Sequence, residues 1–205
     1  MRTVPVVALG TQYVFAQNLE DVAEFVGLQG TGHTPLPPEE LIVRWTTVLR
    51  AVQRYIRQVP DARLEERVID NRDRSIRLMG AHVFRIAEAF LETVLDGVEY
   101  SAQLANEPPA EGECKTGNEI AAYGDEVIAR LQGWWACVPD RACQFKVQTF
   151  FGAQPVASLF ERSAWHCAQH ARQLAAVLER FGIEPDGRLT PQDLAGLPLP
   201  VGLWE

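Results

Sequence analysis

Two of the four histidines in the chain stand four residues apart, in the segment SAWHCAQHARQL at residues 163–174. On a helix, His166 and His170 would be neighbours on one face, with Cβ atoms about 6 Å apart. Imidazole nitrogens so placed can converge on one divalent ion at about 2.0–2.1 Å each. The HxxxH spacing alone admits a second reading, two histidines bonded to partners at the edge of a helical bundle. A third histidine, His82, falls between Met79 and Ile86 on the apolar face of another helical pattern. A lone histidine there is more often a satisfied core residue. Buried imidazoles without partners are costly, and a metal satisfies several at once. Three protein ligands with open positions is the pattern of a catalytic metal site. His33 sits in a Gly- and Pro-rich stretch and is not counted as a ligand.

The elements that must carry these rings can be read from periodicity. Helical spacing of apolar residues marks four long stretches. The first runs over about 38–59, with Leu41, Trp45, Val48, Val52 and Ile56. The second covers about 73–96, with Ile76, Met79, Val83, Ile86 and Phe90. The third covers about 117–137, with Ile120, Tyr123, Val127, Leu131 and the pair Trp134–Trp135, expected in the core and at a dimer surface. The fourth covers about 154–182, and its stripe holds Leu159, Ser163, His166, His170, Leu174 and Val177. Pro37 and Pro38, followed by Glu39 and Glu40, suit a helix start. Four such helices are expected to bury their stripes against one another as a four-helix bundle. The polar segment EYSAQLANEPPAEGECK is long enough for a crossover connection. Near the end, Thr190 and Pro191 suit the cap and first residue of a short helical turn.

Residues 1–28 differ. VPVVALG and QYVFAQ read as strands of a hairpin, and NLEDVAEFVGL as a helix with Asn18 at its N-cap. The expected organisation is a β-β-α appendage over 1–28, a linker over 29–37 and a bundle over 38–205.

Net charge is −8, with 19 Lys and Arg against 27 Asp and Glu, which disfavours nucleic-acid binding. No apolar run approaches the roughly 18–20 residues of a membrane span, and TVPVVALG is too short for a signal peptide. A cytoplasmic protein is expected. Its four cysteines, Cys114, Cys137, Cys143 and Cys167, form no CxxC pair and are expected as free thiols.

NRDRSIRLMGAHVFRIAEAFLE, followed by LFERSAWHCAQHARQLAAVLERFGI, resembles the DinB-like four-helix metalloproteins. That group includes bacterial thiol S-transferases and the mycothiol-dependent maleylpyruvate isomerase family. The resemblance covers about residues 38–204. The family pattern, one histidine in the second helix and HxxxH in the fourth, falls on His82, His166 and His170. The resemblance implies an up-down-down-up bundle, a divalent metal (Zn, Ni, Fe or Mn) and a homodimer. TVPVVALGTQYVFAQNLEDVAEFVGL is similar to the C-terminal half of a glutaredoxin, with Thr3, Val4 and Pro5 at the Thr-Val-Pro that carries a cis proline beside the thiol in that family. The strand, helix and CxxC that precede it there are not in this sequence, so no redox chemistry is carried over.

A divalent ion on three neutral imidazoles can lower the pKa of a bound thiol or water. The expected activity is addition or transfer of a low-molecular-weight thiol to a small-molecule electrophile, or hydrolysis of a small substrate. The alternative is a non-catalytic stress or sensor protein that holds a metal or small ligand. Lesser candidates are Cys167 as a pocket residue or soft ligand, Arg85 as a carboxylate binder or a partner of Glu88, and Gln169 as a hydrogen-bond partner of a ligand. Trp165 flanks His166.

Overall fold

The computed structural model describes residues 6–15, 19–28, 33–69, 73–150 and 152–204. By its contacts the chain falls into two compact units, residues 1–35 and 36–205. In the first, β1 (Val6–Leu9) pairs antiparallel with β2 (Gln12–Phe15), with Val7 opposite Val14 and Ala8 opposite Tyr13. The turn uses Gly10 at φ 63°, a left-handed conformation that glycine adopts without steric cost. Helix α1 (Leu19–Phe25) follows. Thr3, Val4, Pro5 and Asn18, and with them the glutaredoxin-like tripeptide and the expected cap, lie outside the described residues, as does part of the expected linker.

The second unit is mainly helical. Its long helices are α2 (Pro38–Gln58), α3 (Ile76–Asp96), α5 (Gly117–Cys137) and α6 (Val156–Arg180), with two four-residue helices, α4 (Ala102–Ala105) and α7 (Pro191–Leu194). Each long helix shows why it starts where it does. Pro38 opens α2 with Glu39 and Glu40 in the first turn, where carboxylates meet the positive end of the helix dipole. Ser75 caps α3 and Thr116 caps α5, each side chain accepting from a backbone N–H three residues on. Helix α3 therefore begins at Ile76, three residues later than its apolar pattern suggests, and ends on Gly97 at φ 71°. Thr190 and Asp193 form a reciprocal capping box on α7, with Pro191 at its first position as expected.

Helix α6 has no side-chain cap. The preceding loop supplies acceptors instead: Val156 N–H donates to the Phe145 carbonyl and Ala157 N–H to the Cys143 carbonyl. The helix begins at Val156 rather than near 154, because Gln154 and Pro155 belong to a second hairpin that the apolar pattern did not reveal. There β3 (Lys146–Thr149) pairs with β4 (Gly152–Pro155). The hairpin also ties down the segment before α4. Tyr100 N–H donates to the Gln148 carbonyl, and Phe150 N–H donates to the Tyr100 carbonyl.

Helices α2 and α3 each pack chiefly against both α5 and α6. One aromatic from each long helix meets at the centre. Trp45 of α2 lies 5.2 Å from Phe90 of α3 and 5.5 Å from Phe160 of α6, and Trp134 of α5 lies 5.0 Å from Phe90. Phe90 faces Phe160 while His82 faces His170, so α3 and α6 run antiparallel. The eight residues from His82 to Phe90 put the histidines about 12 Å along α3 from this aromatic floor. No helix among the described residues is long and apolar enough to cross a membrane.

Glycine permits the closest approach of α2 and α5. A Cβ on Gly117 would overlap the Ile56 carbonyl oxygen, a backbone atom that cannot turn away. Gly117→Ala is expected to destabilise the protein by about 2 kcal/mol, read as a lower urea midpoint at constant slope. An unchanged midpoint would mean that the ends of these helices do not touch.

Candidate metal centre

His82, on α3, and His166 and His170, on α6, come together as the three-residue group their spacing predicts. One ring nitrogen from each lies within 4.8 Å of the other two. His82 and His170 are 6% and 8% exposed, and His166 is half-buried. The two α6 rings lie closest, with Nε2 atoms 3.2 Å apart. Two nitrogens at about 2.0–2.1 Å from a tetrahedral ion are separated by about 3.3 Å. The donor set thus suits a divalent ion of the zinc, nickel or iron type, to which imidazole is a good ligand. His33 belongs to the other unit and is not in the group.

The environment keeps His82 and His166 neutral, the form that binds metal. Burial lowers His82 to about 2, helped by the charge of Arg74 and by the neighbouring histidines; the Ala105 backbone pulls weakly the other way. Burial lowers His166 to about 3, helped by His170, Arg162 and Arg74. Arg162 precedes His166 by one turn of α6, and Arg74 donates to Asn106 Oδ1 at 2.9 Å, just beyond α4. Positive charge therefore flanks the rings from two sides.

Hydrogen bonds hold the α6 histidines in place. His170 Nδ1 is 2.7 Å from Gln173 Oε1, and the Trp165 ring lies tilted 5.8 Å from that of His166. Periodicity did not single out Gln173. The signal was present, however: a glutamine three residues past a ligand, inside an otherwise apolar stripe, is 4% exposed and needs a partner. Gln169, considered earlier as the partner of a ligand, instead donates to the Gly202 and Leu203 carbonyls at 3.2 and 2.7 Å.

The remaining candidates turn out structural. Arg85 donates to Glu88 at 2.8 Å, to both carboxylate oxygens of Glu92 at 2.7 and 2.9 Å, and to the Leu104 carbonyl at 2.9 Å. It anchors α4 against α3, and its charge is already met by carboxylates. Glu88 also accepts from Tyr123 at 2.5 Å and from Arg130 at 3.0 Å. Trp134 packs in the core. Cys167 is fully buried, and its thiol donates to the Val83 carbonyl at 3.4 Å rather than joining the histidines. Burial pushes its pKa up to about 12 and that of Cys143 up to about 11; Cys114 is raised for the same reason. All four cysteines are free, and Cys137 alone among them is exposed.

The fold is similar to the crystal structure of the mycothiol-dependent maleylpyruvate isomerase. The TM-score is 0.54 at 21% identity, over 68% of this chain and 61% of that one. The chain thus spans about three fifths of the length of that structure. The likeness is one of fold, a mainly helical unit consistent with the DinB-like architecture. No model of a known protein family matches the sequence, and no curated protein matches it.

Proposed function

We propose that residues 36–205 form a DinB-like, up-down-down-up four-helix bundle whose His82, His166 and His170 hold a divalent metal, and that the protein is an enzyme. The reaction is transfer or addition of a low-molecular-weight thiol to a small electrophile, or hydrolysis of a small substrate at the same centre. A homodimer and a cytoplasmic setting belong to the same proposal.

The observation that carries it is the convergence of three imidazoles from two helices, with His82 and His166 held neutral by burial. A divalent ion held there supplies Lewis acidity that makes thiols and water more acidic. The chain's own residues do the rest. The packing of α3 on α6 buries His82 and His170, and exclusion of bulk solvent strengthens electrostatic interactions nearby. Arg74 and Arg162 add positive charge beside His82 and His166, favouring an anionic thiolate or a carboxylate-bearing electrophile over neutral ligands. The dependence of the structural neighbour on a thiol, stated in its name, lends support to the thiol arm.

The test uses metal-reconstituted protein with a panel of low-molecular-weight thiols and electrophiles. Expected is thiol consumption that requires metal, saturates, and disappears in His82→Ala. A metal-loaded protein that consumes no thiol and hydrolyses nothing across the panel would favour the second reading, a metal- or ligand-holding sensor. The cavity of about 720 Å3 between α3 and α5 is lined by Arg85, Glu88, Cys114 and Tyr123, and that of about 420 Å3 between α2 and α5 by Arg50, Arg54 and Arg57; neither is lined by the three histidines.

A further inference from the structure

The C-terminal segment is bonded to the candidate metal centre through a single side chain. Gln173 Nε2 donates to the Leu203 carbonyl at 2.9 Å, while its Oε1 faces His170 Nδ1 at 2.7 Å. A backbone carbonyl can only accept, so the atom turned to Leu203 must be the amide nitrogen. The oxygen is thereby left for His170, and Nδ1 must carry the ring proton. In the neutral ring the lone pair then sits on Nε2, the nitrogen 3.2 Å from His166 Nε2. If the amide were reversed, two acceptors would face each other at Leu203.

The segment is itself held firmly. Gln169 Nε2 donates to both Gly202 and Leu203, and Arg172 Nη1 donates to the Pro200 carbonyl at 2.9 Å and to Gln169 Oε1 at 2.8 Å. Three side-chain anchors on one face of α6, Gln169, Arg172 and Gln173, thus fix a stretch with no helix or strand of its own.

We propose that Gln173 is a positioning residue, and that the segment Pro200–Leu203 is a working part of the metal centre: its Leu203 carbonyl orients the Gln173 amide, which holds the His170 proton on Nδ1 and presents Nε2 to the ion. The inference rests on the metal reading above. Partners of this kind, which fix the tautomer of a ligand histidine, typically change metal affinity 10–100-fold when lost. Coupling is reciprocal. If loss of the segment's hold weakens metal binding about tenfold, metal must lower the population of the opened segment by the same factor.

The test compares zinc affinity, by chelator competition, and the visible spectrum of the cobalt form in wild type, Gln173→Leu and Gln173→Glu, alongside the rate of limited proteolysis within residues 200–204 with and without zinc. Leucine keeps the bulk and removes both bonds. Glutamate keeps the acceptor for His170 and loses the donor to Leu203. Expected for Q173L is zinc binding weaker by about 10–100-fold and an altered cobalt spectrum. Q173E should recover most of the affinity, while cleavage within 200–204 becomes indifferent to zinc, because the bond that links the segment to the partner of His170 is gone. In wild type, zinc should slow that cleavage about tenfold. Wild-type affinity in Q173L, or equal losses in Q173L and Q173E, overturns the proposal, as does cleavage in wild type that ignores zinc. A wild type that binds neither zinc nor cobalt instead sinks the metal reading itself. Should Q173L fail to fold, Gln169→Leu removes two of the segment's bonds without touching His170. It is then expected to weaken zinc about tenfold, and unchanged affinity overturns the proposal.

Discussion

Replacing His82 by alanine is expected to strip the protein of metal while leaving its helices in place. His82 is the sole contribution of α3 to the three-histidine group. Without it, the two remaining nitrogens come from one turn of one helix. They bind an ion far more weakly than a three-ligand site does, because a further position must be filled by water. The wild type should retain about one ion per chain after gel filtration. His82→Ala should retain less than about a tenth of that, with at least a 100-fold rise in the dissociation constant. The far-ultraviolet circular dichroism should not change, since Leu91, Ile86, Phe84 and the rest of the α3 core face remain. His33→Ala serves as the control and should keep its metal. A His82→Ala protein that holds metal at wild-type stoichiometry would show that the three rings do not share one ion, and the proposed chemistry would go with it.

The metal-free protein is expected to lose stability steeply below about pH 6. His82 and His166 take up protons near pH 6.5 in the unfolded chain but only near 2 and 3 in the folded one. Above pH 6.5 both states are neutral there, and the full stability is present. As pH falls from 6.5 towards 3, the unfolded chain gains protons that the folded chain refuses, and the balance tips to unfolding. Each group costs on the order of 1.4 kcal/mol per pH unit in that window. Two such groups are a large share of the 5–15 kcal/mol by which proteins are ordinarily stable. Urea midpoints at pH 7, 6 and 5 measure the slope, and most carboxylates stay ionised over that range. His82→Ala should flatten the slope by about half, and excess zinc should raise the wild-type midpoint through mass action. A midpoint that does not move between pH 7 and pH 5 would mean that the rings take up protons freely in the folded state.

How much of this could be read from the sequence depends on how local the cause is. Helix α5 runs from Gly117 to Cys137, as its periodicity suggests, because its cap, Thr116, lies in the same stretch. The Thr190 cap, with Pro191 at the first position of α7, was legible for the same reason. The meeting of His82 with His166 and His170 was legible because each occupies a stripe that must face inward. What could not be read depends on distant partners. The β3–β4 hairpin is two strands of four residues, too short to show a pattern, and it is held by Tyr100. Helix α4 is a single turn, fixed in part by the Arg85 guanidinium on its Leu104 carbonyl. Gln173 acquires its significance only when the chain, some thirty residues later, returns Leu203 to it.

Under the proposed function, the state of the thiols bears on how long the protein would survive its own substrate. Three of the four sulfhydryls are buried and held in the protonated form, and thiolate is the form that alkylating agents attack. In the proposed reaction, the interior sulfurs would be poor acceptors of reactive carbon. Alkylation would fall first on Cys137, the exposed thiol at the end of α5. In that sense its durability in use is decided less by the centre where chemistry would occur than by the silence of the nucleophiles packed around it.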